Sequence, residues 1–196
     1  MSEYPAIPAP SPHVIPTGKK EIMTEGKFLR FVAHEYIDRY GTQKRWEAVE
    51  RIQNGNIVLL FPVTVHRELI LVKQYRFPIG MEVIELPAGI LDREGESMED
   101  AAARELREET GHRAESMTLL LQGMFDSGTI GDRANVYYAA NCVRIGDPQP
   151  EASEQIEVIT VPVDKIIDFV TNPPGHLPID IKIPAIYAIL KERKMI

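Results

Sequence analysis

Glu105, Glu108 and Glu109 crowd together in RELREET, residues 104–110. On a helix, positions four apart share one face, with Cβ atoms about 5–6 Å from each other. Glu105 and Glu109 have that spacing, and Glu108 borders the same patch. Like charges so placed destabilise an isolated helix. Two surroundings make them tolerable. One is a solvated face on which nearby arginines answer the acids, with Glu108 paired to Arg104. The other is a hard divalent cation such as Mg2+, which prefers carboxylate oxygens and completes its shell with water and substrate phosphates.

The helix that carries these acids is well specified. Ser97 is a good N-cap, and Asp100 three residues later resembles a capping box. Ala101, Ala102 and Ala103 favour the helix, and Gly111 suits its C-terminal stop, so the spacing predicts a helix over 98–110. Met98, Ala102 and Leu106 form an apolar stripe for the core. Around the helix lie short apolar or alternating runs that read as strands. Residues 28–38 and 44–53, joined by YGTQ, form a hairpin, and NGN at 54–56 marks the next turn. Further strands follow at 57–65, 68–77, 82–86, 117–125, 134–145 and 156–162. Two helices, 163–171 and 181–194, close the chain, with Pro184 tolerated in a first turn. Strands interrupted by one central helix and ended by two more predict an α/β or α+β fold with a mixed sheet between helices. Residues 1–18 contain five prolines and read as an extended arm. The expected organisation is therefore an arm at 1–18, a small β-hairpin domain at 19–54 and a main domain at 55–196.

Composition narrows the function. A formal net charge of -7 argues against a nucleic-acid partner. It is compatible with a small phosphate ligand, because a metal ion reconciles acidic side chains with anionic phosphates. The lone Cys142 excludes an intrachain disulfide and a cysteine-rich zinc site; its apolar surroundings read as those of a buried structural thiol. No apolar run approaches the roughly 18 residues of a membrane helix, and the proline-bearing start is unlike a secretory signal. Cytoplasmic placement is the default expectation.

The order of features in 89–112 resembles the signature of the Nudix hydrolases: a glycine, five residues, a glutamate, seven residues, then R-E-U-x-E-E-x-G-U with U bulky and apolar. Gly89, Glu96, Arg104, Glu105, Leu106, Glu108, Glu109 and Gly111 match. Two departures stand out. Six residues, ILDREG, separate Gly89 from Glu96, and His112 occupies the final apolar position. The resemblance implies an α-β-α sandwich with a small N-terminal β appendage. Glu105 and Glu109 would then be ligands of Mg2+ (or Mn2+ as a substitute), joined by the Ala88 carbonyl. Glu108 would be a further ligand or would support a bound water. Arg104 would pair with Glu96 and pin the loop to the helix. The implied chemistry is attack of water on a diphosphate.

KRWEAVERI, LILVKQYRFPIGMEVIELPAG and IDIKIPAIYAIL are similar to the ADP-ribose pyrophosphatase and nucleoside diphosphate sugar hydrolase branch. On that resemblance Trp46, by itself more readily a core residue, stacks on the substrate base. Arg76 contacts the diphosphate, where a planar guanidinium suits phosphate. Glu85 lies near the metals or the sugar. The general base comes from the loop GDPQPEASEQIEV, with Glu154 aligning best and Glu151 second. Asp180 and Lys182, a D-x-K at the start of the last helix, point to hydrolases of nucleoside diphosphate sugars. An ADP-ribose-specific pyrophosphatase is the nearest alternative, and a non-catalytic nucleotide-sugar sensor a remote one. Members of the branch are homodimers whose N-terminal strands help build the partner's site.

Overall fold

The structure is a computed structural model that describes residues 13–53, 55–151 and 154–196. Along the described residues run β1 (Ile15–Glu25), β2 (Leu29–Ile37), β3 (Gln43–Arg51), β4 (Asn56–Thr64), β5 (Glu68–Arg76), β6 (Met81–Glu85) and β7 (Ala88–Ile90). They are followed by α1 (Met98–Thr110), β8 (His112–Arg113), β9 (Ser116–Met124), β10 (Arg133–Arg144), β11 (Ile156–Pro162), α2 (Ile166–Thr171) and α3 (Lys182–Glu192). The chain divides into two units, one comprising Met1–Gly55 with Met124–Asp132, the other Asn56–Gly123 with Arg133–Ile196.

The larger unit is built on a mixed sheet in the order β11-β5-β4-β10-β8, with β6 on β5, β7 on β4 and β9 on β10. At its centre β4 runs parallel to β10 and antiparallel to β5 and β7. Successive side chains of a strand point to opposite faces, and β4 uses both. Val58 and Leu60 join Ala101, Ala102 and Leu106 of α1 in one core. Leu59, Phe61 and Val63 join Ile183, Ile186 and Leu190 of α3 in the other. Burying a side chain of this size contributes about 1.5–3 kcal/mol, so both faces drive the layering. The result is the α-β-α sandwich with a mixed sheet expected from the sequence. Cys142 is buried, and burial pushes its thiol up to about 12. Among the described residues no helix is long and apolar enough to cross a membrane.

The smaller unit holds a three-stranded antiparallel sheet, β1-β2-β3. Its β2–β3 pair is the predicted hairpin, with Ile37 opposite Gln43 through to Leu29 opposite Arg51. The third strand corrects the sequence reading: β1 begins at Ile15, so residues 15–18 are strand and not arm. Every residue of β1 is exposed, and no burial period betrays it. Its ladder to β2, from Ile15–Ile37 to Glu25–Arg30, holds it instead. Residues 1–12 of the expected arm, and Asn54 of the NGN turn, lie outside the described residues. The unit also takes in residues 124–132, which the sequence reading gave to the main domain.

The helices follow the sequence with small differences. α1 matches the predicted 98–110. The run at 163–171 opens as a 3-10 turn, Val163–Lys165, before α2. α3 stops at Glu192, because Lys194 adopts a left-handed φ of 56°.

Candidate active site

Local sequence fixes where the acids of α1 stand. The Ser97 hydroxyl accepts the Asp100 N–H at 3.1 Å, and Gly111 ends the helix with a left-handed φ of 71°. A Cβ at Gly111 would overlap the Gly146 carbonyl, so the stop also permits a close chain approach. His112, in the place of an apolar residue, donates from Nδ1 to the Thr110 carbonyl at 2.8 Å.

Glu109 is the most enclosed acid, only 2% exposed, and its carboxylate accepts the Ala88 N–H at 3.1 Å. Burial, reinforced by Glu105 and Glu154, pushes its carboxyl up to about 9. Burial also raises Glu105, outweighing its ion pair with Arg104. The Glu105 carboxyl rests directly over Gly89, where any Cβ would overlap it.

Arg104, itself buried, organises the helix against the preceding loop. Its Nε and a terminal nitrogen grip both oxygens of Glu96 at 2.8 and 3.0 Å, the two-pronged geometry a guanidinium favours. That grip holds the Glu96 carboxyl below the usual carboxylate range. The other terminal nitrogen donates to Glu105 at 2.6 Å and Glu108 at 3.2 Å. Within the loop that carries the extra residue, Gly95 takes a φ of 78° and the Glu96 N–H reaches the Arg93 carbonyl at 3.2 Å. The helix therefore keeps its relation to Glu96.

Among the described residues no three Asp, Glu, His or Cys side chains converge as a ready cage for a metal. Glu105 and Glu108 turn onto Arg104, and Glu109 turns onto Ala88. The donor set nevertheless fits a hard divalent ion: Glu105 repels buried Glu109, Glu108 repels Glu105, and a cation relieves that repulsion.

Of the remaining candidates in the larger unit, Arg76 and Glu154 lie within electrostatic reach of the α1 acids. Arg76, at the end of β5, bonds Glu85 at 2.6 Å and lowers the Glu109 pKa. Glu154 is half-buried and raises both Glu105 and Glu109. Its carboxylate accepts the N–H of exposed Glu151 at 3.0 Å, so the two loop glutamates take different parts. The start of their loop is tied to α1 through Gln149 N–H to the Glu108 carbonyl at 2.7 Å. Asp180 is buried beside β6, its N–H on the Ile84 carbonyl at 2.9 Å. Its carboxylate takes both the Lys182 N–H, at 2.9 Å, and the Lys182 ammonium, at 2.8 Å. Trp46 belongs to the smaller unit, 54% exposed, with its indole N–H on the Gly128 carbonyl at 3.0 Å.

Sequence reasoning missed Arg93, which pairs with Glu108 at 3.1 Å, and Asp92, which meets Arg104 at 3.4 Å. Both sit in the loop with the extra residue, where no periodicity marks a partner. It also missed Gly128, whose contact is made through backbone and leaves no trace in residue type.

Comparison with known proteins identifies the family and the fold. Residues 54–181 match the NUDIX domain. An ADP-sugar pyrophosphatase of Mus musculus is 33% identical over 93% of this chain and 89% of its own length. An ADP-ribose pyrophosphatase of Bacillus subtilis is 30% identical over 63% of this chain and 66% of its own. A solved structure described as an ADP compounds hydrolase superposes with a TM-score of 0.77 over 92% of this chain and 95% of that one; at 19% identity it speaks for the fold. With the domain matched across most of the chain, and a relative aligned nearly end to end, the chain belongs to the Nudix family.

Proposed function

We propose that this chain hydrolyses the diphosphate of nucleoside diphosphate sugars, giving a nucleoside monophosphate and a sugar phosphate. The observation that carries the reading is the acid pair of α1, with Glu109 buried on the Ala88 N–H and half-buried Glu105 packed over Gly89 and held by Arg104. Such a pair is a liability in a structural helix and an asset where a divalent cation meets phosphate.

Glu105, Glu109 and the Ala88 carbonyl would hold Mg2+, or Mn2+ in its place, with Glu108 as a further ligand or the support of a water. When bound, the ion neutralises phosphate charge and lowers the pKa of water. The chain's own groups do the rest. Arg76 presents a forked cation to the diphosphate once it exchanges Glu85 for substrate. Glu154, within electrostatic reach of Glu105 and Glu109, takes the proton of the attacking water, and the Glu151 N–H steadies it beforehand. Glu96 and Arg104 keep loop and helix in register. Trp46 offers a ring for base stacking, worth about 1–3 kcal/mol and tolerant of base identity. The protein works as a homodimer through its N-terminal strands.

One observation favours the narrower reading of an ADP-ribose pyrophosphatase. Asp180 and Lys182 pair with each other at the start of α3, the arrangement of an ordinary helix-start acid and lysine. Phosphate release through a coupled phosphatase, over ADP-ribose, GDP-mannose, ADP-glucose and UDP-glucose with Mg2+, separates the two. Comparable turnover of several sugars, lost in Glu109→Gln, supports the broad hydrolase. Turnover confined to ADP-ribose favours the narrow one, and binding without turnover would return the chain to a sensor.

A further inference from the structure

The outer edge of β3 is covered by a loop from elsewhere in the chain. Residues 126–132, between β9 and β10, lie along it. The Val49 N–H donates to the Thr129 carbonyl at 2.8 Å, and Val49 forms a parallel bridge with Ile130. Arg51 closes the far end on Asp132 at 2.9 Å, with Asp132 only 4% exposed. A Cβ on Gly55 would lie 3.0 Å from that carboxylate, a tight contact from which the acid would have to give slightly. At the near end the Gly128 carbonyl accepts the Trp46 indole N–H at 3.0 Å.

Asp126 ties the loop to itself. Its carbonyl accepts the Ile130 N–H at 2.9 Å and the Thr129 N–H at 3.2 Å, and its carboxylate accepts the Gly128 N–H at 3.3 Å. An indole that is 54% exposed ordinarily gives its N–H to water and turns freely. Here a backbone carbonyl holds the N–H edge of a ring that stays more than half exposed. A fixed ring has already lost the rotational freedom that stacking would otherwise remove.

We propose that the loop 126–132 is a positioning element for base recognition: Asp126 sets the Gly128 carbonyl, and that carbonyl sets the plane of Trp46. This rests on Trp46 being the base platform. Selectivity for nucleotide-bearing substrates is then shared by residues that never touch the base.

Trp46 is the chain's single tryptophan, so its fluorescence reports the ring alone. In Asp126→Ala the anisotropy of that emission falls, and KM for ADP-ribose rises about three- to tenfold, the scale of one hydrogen bond, with kcat unchanged. Asp126→Asn, which keeps an acceptor in place, restores both. The double variant Asp126→Ala/Trp46→Ala has the KM of Trp46→Ala alone, since both act through one ring. Trp46→Phe keeps an aromatic face without the N–H and raises KM even if Asp126→Ala fails to fold. An unchanged KM in Trp46→Ala would sink the stacking reading and this proposal with it. A raised KM in Trp46→Ala together with wild-type KM and anisotropy in Asp126→Ala, or a double variant worse than Trp46→Ala, would overturn the positioning role and leave stacking intact.

Discussion

At the scale of single residues, Glu109 sets how the protein responds to pH. An unfolded carboxyl titrates near 4.5, whereas the folded one is held at about 9. Below the lower value both states carry the proton, and Glu109 adds no pH dependence to stability. Between the two values only the folded state keeps it, so stability falls as pH rises. Thermal unfolding in EDTA should therefore show a falling Tm across that window. Glu109→Gln should flatten the slope, and Mg2+ should raise Tm most at the alkaline end, where the carboxylate is free to bind. A wild-type slope in Glu109→Gln would mean that another group carries it. Glu154 and Glu151 diverge at the same scale. Glu154→Gln should lower kcat by about 10²–10⁴-fold, the usual contribution of a positioned base. Glu151→Gln should stay close to wild type, because Glu151 contributes a backbone N–H that glutamine retains.

At the scale of elements, the join between β7 and α1 separates function from stability. Gly89 has no left-handed φ to defend; what it defends is the space taken by the Glu105 carboxyl. A flexible carboxyl can swing away from a new methyl at little cost. Gly89→Ala should therefore unfold within a few degrees of wild type while Mg2+ affinity, measured by calorimetry, falls about tenfold or more. A large loss of Tm with unchanged metal affinity would show that the glycine serves the fold. Legibility also varied by element. α1 was readable to the residue because cap, stripe and stop agree in one short stretch. β1 was not, since all its residues are exposed and its strand character comes from pairing with β2. β7 and β8, three and two residues long, are too short to show a period. Among the site residues, the helical acids were legible from spacing. Arg76 with Glu85, and Trp46 with Gly128, meet only through strand pairing or a distant loop, which no local pattern encodes.

At the scale of the whole molecule, the smaller unit carries surface that a lone chain leaves wet. Ile15, Ile22 and Met23 of β1 are exposed, as are Phe28 and Leu29 beside them. Apolar side chains gathered on one small sheet mark an interaction surface. Light scattering should return twice the 22.1 kDa chain mass, and Ile22→Glu should reduce it toward a single chain. A wild-type mass of one chain would remove the proposed dimer.

The parallel pairing of β4 with β10 also governs how the molecule comes into being. It sets Ile57 beside Ala134, with α1 and the whole acidic segment inside the loop so closed. Distant parallel contacts form slowly, because chain entropy is lost before contacts repay it. Until that closure, Leu60 has no Tyr137 beside it and α1 has only part of its core to lie on. On dilution from denaturant, helical signal should return early and hydrolytic activity late, in step with the slow closing of the sheet. The residues proposed to perform the chemistry thus depend on a long-range closure of the chain, and not on α1 alone.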